Sequence, residues 1–342
     1  MVEVAHASRH DHAVDLGRRA ADRRRHPALL GKAPVAVHVL YTTGAMLLGL
    51  VLVCLAAVSW GTTGSVMALL AREATPSPLV VGWARMAAAA PCLIVALVLA
   101  RHAAFARGDW QPLDRAKAAL LGAAMAAYQV CYFWAVPRTG VALTALLAIC
   151  SAPLMIAAGA AITLKERPSP ATLAALPLAV AGTAMVLAGP RATGDAPPGF
   201  AAGALAALGA GLSYAVYAVT AKGLLARVAP LPLAALTFSL AAGLLTPVLV
   251  LERGAAAQLS AGWPLLLYLG VVPTAAAYVV FGAGLRRVTA TTASIATLLE
   301  PLTAAALGVL LFGERLGTLG WAGAALLLGA LGLLAWAASD RQ

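Results

Sequence analysis

The sequence predicts an all-α integral membrane protein, ten transmembrane helices built as two inverted five-helix repeats around a central cavity. Three observations predict it: a composition 62% hydrophobic and only 11% charged, ten apolar runs long enough to cross a bilayer, and an internal repeat. A soluble domain carries roughly 25% charged residues. With a mean hydropathy of +0.88, this chain has too few charges to cover a surface facing water, and the bilayer is the solvent that suits it.

Residues 1–35 are polar and basic, with Arg18, Arg19, Arg23, Arg24 and Arg25 among His6, His10, His12 and His26. They are expected to form a disordered cytoplasmic tail whose histidines are solvated rather than metal-bound. No short apolar core with a small-residue cleavage site opens the chain, so no signal peptide is expected, and Met46 is an alternative start. The apolar segments then fall at about 47–70, 78–100, 116–136, 140–164, 170–189, 199–221, 231–251, 262–284, 289–313 and 317–337. Each is near the ~20 residues a helix needs to span the hydrocarbon core. Backbone hydrogen bonding in lipid allows only helices or closed barrels, and the length of the runs favours helices. Pro76 and Pro78, Pro168 and Pro170, Pro197 and Pro198, and Pro230 and Pro232 mark short connections. Cys54, Cys92, Cys131 and Cys150 all fall within apolar runs without metal-ligand spacing, and are read as small buried hydrophobes.

The net charge of +11 does not point to nucleic acid, because of where the basic residues sit. With the N-terminus in the cytoplasm, the inner segments carry Arg101, Arg107, Arg115, Lys117, Lys165, Arg167, Lys222, Arg227, Arg286, Arg287 and Arg341. The outer segments carry only Arg72, Arg138, Arg191, Arg253 and Arg315. This bias is the positive-inside pattern, and it places both termini in the cytoplasm of a multi-pass protein of the cell membrane.

The repeat is visible without gaps. An offset of 148 pairs Gly122 with Gly270, Phe133 with Phe281, Ala135 with Ala283, Arg138 with Arg286, Pro153 with Pro301, Glu166 with Glu314 and Arg167 with Arg315. An offset of 154 pairs Ser59 with Ser213, Pro76 with Pro230, Pro78 with Pro232 and Leu79 with Leu233. Residues 47–189 and 199–337 therefore read as two copies of one unit. Five crossings is an odd number, so the second copy enters from the opposite face. Inverted repeats of this kind recur in secondary transporters, with the substrate site near the midplane between the halves.

The residues at the ends of helices 4 and 9 carry a family resemblance. Helix 4 and its exit contain Ser151-Ala-Pro-Leu and then Leu-Lys-Glu-Arg167, whereas helix 9 and its exit contain Leu299-Glu-Pro-Leu and then Leu-Phe-Gly-Glu-Arg-Leu316. With Ser59-Trp60-Gly61 in helix 1, these stretches resemble the drug/metabolite transporter superfamily, specifically proteins with two EamA-type domains. The first copy departs from the pattern in having Lys165 where glycine is usual. The resemblance implies a basket of helices with 1, 3, 4, 6, 8 and 9 around the cavity, and export of amino acids, related metabolites or toxic compounds.

Within the predicted helices, Glu300 is the acid at mid-membrane depth, ~18 Å from either end of helix 9 at ~1.5 Å per residue. An intramembrane charge is a functional candidate, here a proton carrier or substrate contact; the alternative is a neutral side chain that braces helix 9. Pro153 and Pro301 each remove a helix hydrogen bond and are candidate hinges. Tyr128 and Tyr132 share a face of helix 3, and Tyr214 and Tyr217 a face of helix 6. Trp60 and Tyr278 join them by family position, and these rings suit an amphipathic solute or, alternatively, interhelix packing. Ser151, Ser294, Thr297 and Thr144 offer hydroxyls to a substrate or back to their own helices. Arg85, about 10 Å from the outer end of helix 2, binds a carboxylate, snorkels to the interface or pairs with a neighbouring helix.

The expectation is a secondary transporter working by alternating access on a small-molecule substrate, with protons as the candidate coupling ion and no cofactor. The runner-up is a membrane receptor or structural partner that moves nothing. Every Lys precedes Ala33, Ala118, Glu166 or Gly223, so no P-loop is present. Beyond residue 38 the sole histidine is His102, which leaves little for a metal-dependent membrane enzyme.

Overall fold

The computed structural model describes residues 33–73, 77–100, 112–187, 198–313, 315 and 317–339. Most of the predicted tail lies outside the described residues, as do Pro76, Pro197, Glu314 and His102. Every described element is helical. The ten membrane helices are α1 (Ala33–Glu73), α2 (Pro78–Leu99), α3 (Pro112–Thr139), α4 (Val141–Thr163), α5 (Pro170–Leu187), α6 (Phe200–Leu225), α7 (Pro230–Leu251), α8 (Trp263–Leu285), α9 (Ala290–Phe312) and α10 (Thr318–Ser339). A short helix, Ala255–Ala261, precedes α8.

From α2 to α10 the predicted ends fall within four residues of these bounds. The exception is α1, which begins at Ala33: it takes in residues 33–35 of the predicted tail and residues 36–46, which the sequence pattern assigns to neither tail nor membrane run. Pro34 falls in the first turn, where a missing N–H costs nothing. Proline likewise opens α2, α3, α5 and α7. The N-cap of α9 is Thr289, whose hydroxyl accepts from the Thr292 N–H at 3.1 Å.

Large apolar side chains project outward around the bundle; Leu99, Ile162, Val250 and Leu310 are 76–87% exposed. In water such a surface would drive aggregation; in lipid it is the solvated face. Trp134, Trp263, Trp321 and Trp336 are exposed near helix ends, as expected of an interfacial belt. The four cysteines are free and half-buried rather than fully buried.

The two repeats pack with an internal twofold relation. Helix α3 lies along α6, and α8 along α1; α4 lies along α6, and α9 along α1; α2 meets α7, and α5 meets α10. Exchanging the repeats maps this set of contacts onto itself. The relation holds at single residues. A Cβ on Gly49 of α1 would sit 2.6 Å from Arg287 Cβ in the turn that follows α8, and one on Gly203 of α6 would sit 2.6 Å from Arg138 Cβ at the end of α3. Gly49 and Gly203 are themselves 154 residues apart, and only glycine lets these backbones approach so closely.

One end of the bundle is tightly fastened, the end bearing the α4–α5, α6–α7 and α8–α9 connections. There Lys222 Nζ donates to the Leu285 and Val288 carbonyls at 2.7 and 2.6 Å. Both carboxylate oxygens of Glu166 lie 3.0 Å from the Ala290 N–H at the start of α9. Arg227 Nη2 donates to Asp114 Oδ1 at 2.6 Å. Leu50, Val53, Leu224, Leu225, Phe281, Leu285 and Ile295 fill the space beneath, all buried.

Candidate functional site

A cavity of about 600 Å³ lies between the repeats. Its mouth is at the end opposite the fastened one: Met67 and Ala68 near the exit of α1, Pro78 at the start of α2, Val136 near the exit of α3, Val141 at the start of α4 and Leu187 at the exit of α5 all line it. Its floor, about halfway along the helices, is Trp60, Ile156, Tyr214, Tyr278 and Thr297. Helices α1, α3, α4, α6, α8 and α9 all contribute, and α2 adds Arg85.

The aromatic residues form one connected cluster. The Trp60 ring centroid is 4.8 Å from Tyr278 and 6.4 Å from Tyr214, meeting the latter edge-on at 89°. Tyr128 stacks near Tyr132 at 5.8 Å and lies 6.2 Å from Tyr214. Trp60 Nε1 and Tyr214 Oη are buried with no protein hydrogen-bond partner. An unpaired buried donor costs about 1–3 kcal/mol, so polar groups are in demand around this floor. Tyr217 is buried behind the lining, stacked on Tyr214 at 6.1 Å and edge-on to Tyr278 at 5.7 Å.

Prolines shape two of the walls. Pro301 cannot donate to the Thr297 carbonyl, and Pro153 cannot donate to that of Ile149; all four residues line the cavity. Helix α9 is interrupted at Leu298, so Glu300 stands in the first turn of its second piece, Leu299–Phe312. Position 152, the counterpart of Glu300 at the offset of 148, is alanine, and it also lines the cavity. The cavity thus has one carboxylate where twofold symmetry would allow two.

Of the residues singled out in the sequence, Trp60, Tyr128, Tyr132, Tyr214, Tyr278, Thr297, Glu300, Pro153 and Pro301 line the cavity. Ser151 and Ser294 do not: their hydroxyls bond back to the Ala148 and Thr291 carbonyls at 3.4 and 2.8 Å. The Ser151 hydroxyl is wedged where α4 presses on Gly211 of α6. Thr144 is fully buried and bonds to the Gly140 carbonyl and the Thr139 hydroxyl. Arg85 does not snorkel; it turns inward to Thr274 of α8. Sequence reasoning missed Gln129, buried and part of the lining. Its signal was available, since it is the one glutamine inside a predicted membrane run.

Residues 47–188 and 201–336 each match the EamA-like transporter family, one match per repeat. The chain belongs to the EamA-like transporter family. Relatives agree: an uncharacterized transporter of Bacillus subtilis (strain 168), YwfM, is 36% identical over 298 residues, 85% of this chain and 94% of its own. An uncharacterized transporter of Archaeoglobus fulgidus is 32% identical over 205 residues, 60% of this chain and 70% of its own. The crystal structure of another protein superposes with a TM-score of 0.69 at 22% identity, covering 85% of this chain and 96% of that one. That likeness concerns the fold alone. In this EamA-like transporter the two family units meet at the cavity.

Proposed function

We propose that this protein is a secondary transporter that exports small polar or amphipathic metabolites, such as amino acids and related compounds, by alternating access. The observation that carries the reading is the cavity itself: open at one end, closed at the other, and lodged between two inverted units. Its aromatic floor suits an apolar moiety, and Glu300 and Arg85 suit a polar one.

The fastened end holds Lys165, Arg167, Lys222, Arg227, Arg286 and Arg287, so the positive-inside rule makes it cytoplasmic and the mouth outward. Two like units in opposite orientation can exchange arrangements, and the exchange would close the mouth and open the cytoplasmic end. The direction follows the habit of the family the sequence resembles, many members of which export solutes. A proton carried by Glu300 is the proposed coupling ion.

The test is efflux from proteoliposomes. The purified full chain is reconstituted around a small-molecule extract of cells, a proton gradient is imposed, and the exterior is followed by mass spectrometry. Solutes should leave faster than from protein-free vesicles. A protein that moves nothing under either polarity of the gradient is instead a receptor or structural partner.

A further inference from the structure

Helix α8 contains a single π-helical stretch, Val271–Ala276, and its cause is Pro273. In a regular helix the N–H at position 273 would donate to the Leu269 carbonyl; proline has none to give. The Thr274 hydroxyl takes that place and donates to the Leu269 oxygen at 2.7 Å. The same hydroxyl oxygen accepts from Arg85 Nε at 3.1 Å. Thr274 is completely buried, so its hydroxyl has one orientation that serves both bonds.

This arrangement leaves the terminal nitrogens of Arg85 without a hydrogen bond among the described residues, with Glu300 sharing the cavity beyond ion-pair distance. Among the described residues, no carboxylate lies within ion-pair distance of its guanidinium, and its terminal amino groups have no protein acceptor. Among the described residues that line the cavity it is the one cation. An arginine tethered through Nε presents its two terminal nitrogens as a planar fork, which matches the two oxygens of a carboxylate. A dianionic phosphate would call for more than one cation, and the lining offers no second. Local helix distortions of this π type are frequent at functional sites.

Building on the transport reading above, we propose that Arg85 recognises a carboxylate on the transported solute, with Thr274 as the positioning residue that aims it. The substrates are then carboxylates, their apolar part resting on the Trp60, Tyr214 and Tyr278 floor.

Proteoliposomes of the full chain are loaded with an equimolar mixture of free amino acids, their carboxamides and their decarboxylated amines, and a parallel set with a whole small-molecule extract. Efflux of each compound is read by mass spectrometry. The acids should outpace their amide and amine partners by at least about 10-fold, the scale of a charge-assisted hydrogen-bond pair. Arg85→Gln should bring that ratio to about 1. Arg85→Lys should retain part of it, and Thr274→Val should lower it without removing it. Arg85→Lys also covers the case in which the glutamine variant fails to fold, because a lysine that keeps the whole ratio overturns the role of the fork. Amides leaving as fast as acids, an unchanged ratio in Arg85→Gln, or extract solutes that move yet lack a carboxylate would overturn the assignment while leaving transport intact. If nothing moves in either set, the transport reading itself falls, and this inference with it.

Discussion

Lys165 and Gly313, 148 residues apart, adopt the same left-handed backbone, with φ of +53° and +68°. Each ends the fourth helix of its repeat. The departure from the family's glycine at Lys165 therefore leaves the turn intact and places a strained side chain on it. The turn serves packing: the Glu166 N–H folds back to the Ala160 carbonyl at 3.2 Å, and the Glu166 carboxylate reaches Ala290 of the other repeat.

Lys165→Gly should thus be stabilising, by about 1 kcal/mol, since an L-residue in this region costs roughly 1–2 kcal/mol and glycine gives back part of it in the unfolded chain. A β-branched Lys165→Val should lose stability instead. Thermal unfolding of the purified protein in detergent, followed by tryptophan fluorescence, checks both signs; a lower midpoint for the glycine variant contradicts the strain argument.

Glu166→Ala removes the acceptor for the first N–H of α9 while leaving the rest of the fastened end in place. Charge-assisted hydrogen bonds contribute about 1.5–3 kcal/mol, so amide exchange in the peptide around Ala290 should quicken by roughly 10-fold or more. Glu166→Gln keeps an acceptor oxygen and should have a smaller effect. Hydrogen–deuterium exchange by mass spectrometry reads this directly, and unchanged protection at residue 290 would show that the contact does no fastening.

Gly49→Ala and Gly203→Ala should each destabilise by about 1–3 kcal/mol, the usual cost of overpacking, because each new methyl group meets a facing side chain at 2.6 Å. Gly44 of α1 has nothing within 4 Å and is the control; Gly44→Ala should be neutral or slightly stabilising. The comparison of detergent-solubilised melting midpoints is decisive if the control behaves like the pair.

Glu300→Gln should abolish the pH dependence of transport with protein abundance unchanged, given that Ala152 provides no second carboxylate at the matching position. Efflux from proteoliposomes at several external pH values gives the answer. An unaltered pH profile would leave Glu300 as a solute contact or a brace for α9.

Much of the fold was legible because lipid imposes a simple rule. Backbone groups must be satisfied within each span, so ten apolar runs of the right length become ten helices, and proline marks their beginnings. The aromatic lining could be found for a related reason: Tyr128 and Tyr132 share a face at a spacing of four, and Trp60 and Tyr278 matched family positions. Hydroxyls were harder. Ser151, Ser294 and Thr297 read alike in the sequence, yet only Thr297 meets the cavity. A serine or threonine in a helix can always bond to its own backbone, so its identity carries little information about the direction it faces.

The sequence by itself determined the solvent, the number of crossings, the inverted duplication and the presence of a lone carboxylate deep in α9, because these depend on hydrophobicity and spacing along one chain. Tertiary structure alone decided which end of the cavity is shut and where Arg85 points. Both depend on contacts between residues far apart in sequence: Lys222 with the end of α8, Glu166 with the start of α9, and Arg85 with the Thr274 hydroxyl, itself held on the Leu269 carbonyl that Pro273 leaves free.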